Sequence, residues 1–168
     1  MLYPCARWRG PVPNVGGTIG TIRLIVIHIM EGTLVGTDSW FHNPDSRVST
    51  HFGVGKDGTV LQWVDTAEVA RAQRAYNEVG ISIEHEGKSG DSLTDAQVAA
   101  DRALLAWISA NHGVPLVRNQ DRNGHGVIGH GELGVAGGEN LDCPGQPILD
   151  QIPSLLSTPA RRGQSSQG

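Results

Sequence analysis

Two cysteines in a chain of 168 residues cannot build a disulfide framework, so the sequence is not that of a small cross-linked scaffold. Charge is scarce as well: only 18% of residues are Asp, Glu, Lys or Arg, and the formal net charge is −4. No basic cluster exists apart from Arg161-Arg162, which argues against a nucleic-acid partner. The acidic balance also argues against electrostatic adsorption to an anionic surface. The longest apolar run, Leu24 to Ile27, is strand-sized, so membrane insertion is not expected. The opening MLYPCARWRG contains no apolar stretch of the kind a signal peptide needs, which predicts a protein made in the cytoplasm.

What remains is a glycine-rich chain, with 23 Gly and 38% hydrophobic residues. That composition fits one loop-rich domain with a core of its own. Residues 1–20 are rich in Pro and Gly without periodicity and are expected to form an irregular arm over the domain. The run TIRLIVIHIM at 21–30 predicts a buried central strand. A short helix or turn is expected at 37–41. The segments 50–54 and 59–64, separated by Lys56-Asp57-Gly58, predict a β-hairpin. VGISIEH at 79–85 predicts another strand, with Ser82, Glu84 and Glu86 on one face and Ile81, Ile83 and His85 on the other. The clearest helix starts at Thr94, where Thr94 and Gln97 make a capping box, and ends at Gly113 and Pro115. Its apolar stripe, Val98, Leu104, Leu105 and Ile108, is interrupted by Asp101. Residues 124–145 read as a glycine-rich loop, and 148–156 as a short closing helix. The polar stretch 157–168 reads as a linker or frayed end, which leaves residues 1–156 as the folded domain.

Three residues suit a metal. His28 ends the apolar strand, His130 ends the short apolar run Val127-Ile128-Gly129, and Cys143 opens Cys143-Pro144-Gly145. Two imidazoles and a thiolate suit zinc, and three protein ligands leave a fourth position for water, the pattern of a catalytic site. Each has a plainer reading. His28 alone is equally a hydrogen-bonded core histidine, and Cys143 alone a small buried hydrophobe. His51, His85 and His125 are further imidazoles, and spacing does not choose among them.

The order and wording of five segments make the choice. They are IVIHIMEGT at 25–33, STHFGVGKDGTVLQWV at 49–64, ARAQRAYNEVGISIEHEG at 70–87, LTDAQVAADRALLAWISANHGVPL at 93–116 and GVIGHGELGVAGGENLDCPG at 126–145. Together the series resembles the type-2 N-acetylmuramoyl-L-alanine amidases. That family includes phage lysozyme-type amidases and is related to peptidoglycan recognition proteins. The resemblance implies an α/β fold with a central mixed β-sheet flanked by helices. It implies Zn2+ held by His28, His130 and Cys143, with Glu84 as general base. The implied substrate is peptidoglycan or a muropeptide, cut at the amide between the lactyl group and L-alanine. A monomeric phage or prophage endolysin, released to the wall by a holin-type route, fits the missing signal peptide and the polar tail.

This chain departs from the family in places. Leu141 stands where members often carry Lys or Thr, two positions before the third ligand, and it can donate nothing. Asn140 beside it is the candidate donor to the substrate carbonyl, and His51 is the candidate supporting residue. Thr50 replaces a Tyr of the phage lysozyme-type members. Ala70-Arg71-Ala72-Gln73 replaces an Ala-Trp-His-Ala type run. Two other readings stay open: a peptidoglycan-binding module without activity, and a cytosolic amidase that recycles anhydro-muropeptides. A complete ligand set favours an enzyme over the binding module. Cys5, His85 and His125 have no assigned role.

Overall fold

The structure is a computed structural model that describes residues 1–138 and 140–157. Among the described residues, eight strands and three α-helices make a single α/β domain. The strands are β1 (Arg7–Trp8), β2 (Val15–Thr18), β3 (Leu24–Ile29), β4 (Phe52–Val54), β5 (Val60–Gln62), β6 (Glu68–Ala70), β7 (Gly80–His85) and β8 (Gly126–Gly129). The helices are α1 (Leu34–His42), α2 (Asp95–His112) and α3 (Gln146–Leu155). Six strands form a mixed sheet in the order β1-β5-β4-β7-β3-β8, in which only the β4–β5 pair is antiparallel. That pair is the hairpin expected from Lys56-Asp57-Gly58. β2 and β6 form a separate antiparallel ribbon.

Alternation along the strands divides the core. Ile25, Ile27, Ile29, Ile81 and Ile83 pack with Leu104, Leu105 and Ile108 of α2 and with Ile148, Ile152 and Leu155 of α3. Leu24, Val26, Ile128, Leu133 and Tyr76 form a separate cluster. β3 is buried along its whole length, as a central strand paired on both edges must be.

The break in the apolar stripe of α2 has a partner. Asp101 is fully buried and bonds His85 Nε2 at 2.9 and 3.0 Å. Burial works against a charged His85, but the adjacent Asp101 carboxylate more than offsets it and the net shift is upward. His85 Nδ1 donates to His28 O at 2.9 Å, which joins helix, strand and neighbouring strand beneath the site. Thr94 caps α2 with both bonds of the capping box, and Gly113 ends the helix in the left-handed region at φ 72°.

The arm at 1–20 is more regular than its composition suggests. β1 extends the main sheet beside β5, and β2 bonds β6. Two- and four-residue strands with little apolar alternation leave no periodic signal, so these pairings come from tertiary contact. The glycine-rich segment 124–145 likewise contains β8 and a 3-10 turn at His130–Leu133. From residue 158 onward, the polar tail lies outside the described residues.

Candidate metal centre

Sheet register builds the site. His28 on β3 lies opposite Glu84 on β7, and Glu84 lies opposite Gly53 on β4. Residues paired across strands share a face, so His28 and Glu84 point the same way. On the other side of β3, Ile27 pairs with Gly129, which brings His130, the first residue beyond β8, to the same level. The two imidazole rings lie 4.3 Å apart between centroids, tilted by 33°.

Cys143 arrives from the following loop. The Gly131 N–H donates to Cys143 O at 2.6 Å, and the Ile29 N–H donates to Cys143 Sγ at 3.4 Å. Gly131 has to be glycine here, because a Cβ would collide with the carbonyl of Leu141 as the loop passes over it. One ligand atom each from His28, His130 and Cys143 can be chosen so that all lie within 4.8 Å of one another.

The electrostatics fit a cation. Burial pushes the Cys143 thiol well above its ordinary range, with Glu84 adding to the effect. Burial also lowers both histidines, His28 further by its neighbour His130, so both rings are neutral. Neutral imidazoles and a thiol that ionises on metal binding are the donor set of a zinc-type centre. Glu84 supplies the clearest sign. Its Oε2 is closed off from solvent and has no hydrogen-bond partner among the described residues. An unpartnered buried carboxylate oxygen is costly unless something polar occupies the space beside it. Glu84 Oε1 lies 3.9 Å from His28 Nδ1, so that space borders the ligand cluster. Burial raises the Glu84 carboxyl to about 7, even though 16% of the side chain is still reached from the cleft. A cation at the cluster would act in the opposite sense and favour the carboxylate.

Comparison with known proteins agrees with this geometry. Residues 19–146 match the N-acetylmuramoyl-L-alanine amidase family. N-acetylmuramoyl-L-alanine amidase A of Achromobacter lyticus is 33% identical over 135 residues, covering 73% of this chain and 75% of that protein. The chain belongs to the N-acetylmuramoyl-L-alanine amidase family. Solved structures share the fold. A selenomethionine AmpD derivative superposes with a TM-score of 0.71 at 22% identity, over 93% of this chain and 97% of that one. Drosophila peptidoglycan recognition protein SA gives 0.66 at 18% identity, over 89% and 91%. Family membership and the ligand cluster together make this chain a hydrolase.

His28, His130, Cys143, Glu84 and Asn140 line one cleft of about 210 Å³. His51, the candidate supporting residue, does not line this cleft. It is buried behind Ser82, with Nδ1 accepting from the Ser82 N–H at 3.1 Å and Nε2 bonded to Glu68 O at 3.1 Å. This histidine ties β6 to β7. Thr50, in the position of the family's Tyr, is also turned inward and donates to Ser82 Oγ at 2.8 Å.

His51 carries a pH prediction. Burial pushes its pKa down to about 4, against the opposing effect of its bond to Glu68. The folded value lies below the unfolded value of about 6.5, so the unfolded chain takes up the proton first. The stability it contributes is therefore full above about pH 6.5 and is lost as the pH falls from there through 4. In metal-free protein, the unfolding free energy of His51→Gln should fall by roughly 3 kcal/mol less than that of wild type between pH 7 and 4. Equal losses in urea titrations at the two pH values would show that His51 does not titrate this way.

Several cleft residues lie outside the set expected from the sequence. Thr37, Trp40 and Phe41 of α1 line the cleft, a grouping that the i, i+3, i+4 spacing could have disclosed. Phe41 packs edge-on against Trp63 at 5.1 Å, while Trp40 stays half exposed. Asp38 holds this helix in place through Trp63 Nε1 at 2.7 Å and Arg9 at 2.6 Å. Beyond Ala72, His130 and Asn140 the cleft continues into a second groove of about 370 Å³, lined in part by Arg47 and Arg71. Gln73, buried and in contact with His28, was also missed.

Proposed function

We propose that the protein is a zinc-dependent N-acetylmuramoyl-L-alanine amidase that cuts the lactyl–L-alanine amide of peptidoglycan, acting as a phage or prophage endolysin. The carrying observation is the unpartnered Glu84 Oε2 beside three converging ligands. His28, His130 and Cys143 would hold the zinc. When bound, that ion supplies Lewis acidity, bringing the pKa of a ligated water to about 7 and polarising a carbonyl.

The chain's own groups do the rest. Glu84 Oε2 takes the proton from the attacking water, whose oxygen adds to the lactyl carbonyl carbon. As the C–N bond breaks, Glu84 returns that proton to the alanine nitrogen, and the lactyl carboxylic acid and the free amine leave, the acid's proton passing to the amine or to solvent. Asn140, which lines the cleft and precedes Leu141 in the chain, carries a side-chain donor that Leu141 lacks. The two ends of the cleft suit the two ends of the substrate. Trp40 offers an aromatic face to a sugar ring, and Arg47 and Arg71 offer charge to peptide carboxylates.

The test is the chemistry of the cut. Purified wall treated with the enzyme should gain L-alanine amino termini and no reducing sugar ends. New reducing ends would mean a glycosidase and end this proposal. Rates on intact wall compared with soluble anhydro-muropeptides separate the endolysin role from a recycling role: preference for the soluble substrate would remove the endolysin part.

A further inference from the structure

Gln73 lies outside the ligand set and outside the proton path, yet it is 1% exposed and its amide is fully engaged. Its NH2 group donates to Gly80 O at 3.0 Å and to Tyr76 O at 3.3 Å. Two carbonyl acceptors on that side decide which way the amide points, because the reversed amide would set oxygen against oxygen. The amide oxygen must therefore face His28, and Gln73 Oε1 lies 3.3 Å from His28 Nε2. An oxygen without a hydrogen can only accept, so the ring's proton sits on Nε2 and the lone pair sits on Nδ1. Nδ1 is the nitrogen on the Glu84 side.

The surroundings are shaped to this amide. The backbone N–H groups of Ala72 and Gln73 both donate to Asn77 Oδ1, at 3.1 and 2.7 Å, which fixes the turn from which Gln73 projects. Gly80 lacks a side chain where a Cβ would collide with Gln73 Nε2. His130 is held in the same sense, with its Nε2 3.1 Å from Gly137 O, an acceptor only.

Resting on the zinc reading above, we infer that Gln73 is a positioning residue for the metal centre: it fixes the His28 tautomer and ring orientation, so that Nδ1 is presented as the metal ligand. Partners of this kind are worth about 10–100-fold in metal affinity. A side chain that packs without accepting should lose that factor, and one that still accepts should retain more of it.

The experiment compares wild type, Gln73→Leu and Gln73→Glu. Zinc affinity is measured by chelator competition, and the cobalt-substituted proteins are compared by their visible absorption. Gln73→Leu should bind zinc about 10–100-fold more weakly, with altered cobalt bands. Gln73→Glu keeps an acceptor toward Nε2 and, protonated in this buried place, a donor toward Gly80 O, so it should bind zinc more tightly than Gln73→Leu. Thermal unfolding of the metal-free proteins checks that Gln73→Leu is folded. Long-range 1H–15N spectra of metal-free wild type give a readout that needs no metal: the His28 proton should be on Nε2. If Gln73→Leu binds zinc as tightly as wild type, or if the His28 proton is found on Nδ1, this inference fails and the zinc reading survives. If wild type binds no zinc while the tautomer is as stated, the zinc reading fails and takes the ligand role of Gln73 with it.

Discussion

Cys143→Ser should leave the protein folded, nearly free of zinc and nearly without hydrolytic activity. Wild type prepared without chelator should carry one zinc per chain by elemental analysis. The thiolate is the only anionic member of the ligand cluster, and a serine hydroxyl is a far poorer ligand at neutral pH. The structural cost of the change is small. Cys143 Sγ accepts one weak bond from the Ile29 N–H at 3.4 Å, and a hydroxyl can accept it too. Ionising Cys143 against its burial is work that only a bound cation repays, so metal uptake should release a proton. Wild-type protein that is metal-free and whose activity ignores chelators would sink the assignment.

Glu84→Gln should separate chemistry from metal binding. The variant keeps the shape of the side chain but not its ability to take a proton, and turnover should fall by about 10²–10⁴ with zinc retained. Stability should not suffer, because the replaced Oε2 has no partner among the described residues to lose. Glu86→Gln is the control. Sequence alternation puts Glu84 and Glu86 on one face, but β7 ends at His85, and Glu86 Oε2 accepts from the Lys56 N–H at 2.8 Å. Glu86 is not among the residues lining the cleft and should lose little. Near-normal turnover of Glu84→Gln on soluble muropeptide, measured at saturating substrate, would remove Glu84 from the mechanism.

The strands and helices that could be read from the sequence are those with a strong local pattern. β3 and β7 are apolar and β-branched, the hairpin has its turn residues, and Thr94 caps α2 with its own side chain. Asp101 in the apolar stripe of α2 was a readable anomaly, but its meaning needed His85 from another strand. The ligands were chosen by resemblance to a family, because His51, His85 and His125 offer the same chemistry at no worse spacing. The structure supplies the physical reason for that choice. His51 spends both nitrogens on Ser82 and Glu68, and His85 spends both on His28 O and Asp101. Gln73 could not be read at all, since an amide has no periodic signature and its importance lies in which carbonyls happen to face it.

The central sheet also has a consequence for the order in which the molecule acquires its parts. β3 pairs in parallel with both β7 and β8, and parallel neighbours cannot be joined by a tight turn. His28, Glu84 and His130 thus come together only after long excursions of chain have closed, the slow class of contact in folding. Local structure such as the capped α2 or the β4–β5 hairpin can form early without producing any part of the centre. Until those parallel pairings form, the residues of the ligand cluster stay apart. The ligand cluster is complete only when β8 has paired with β3 and the loop behind it has brought in Cys143.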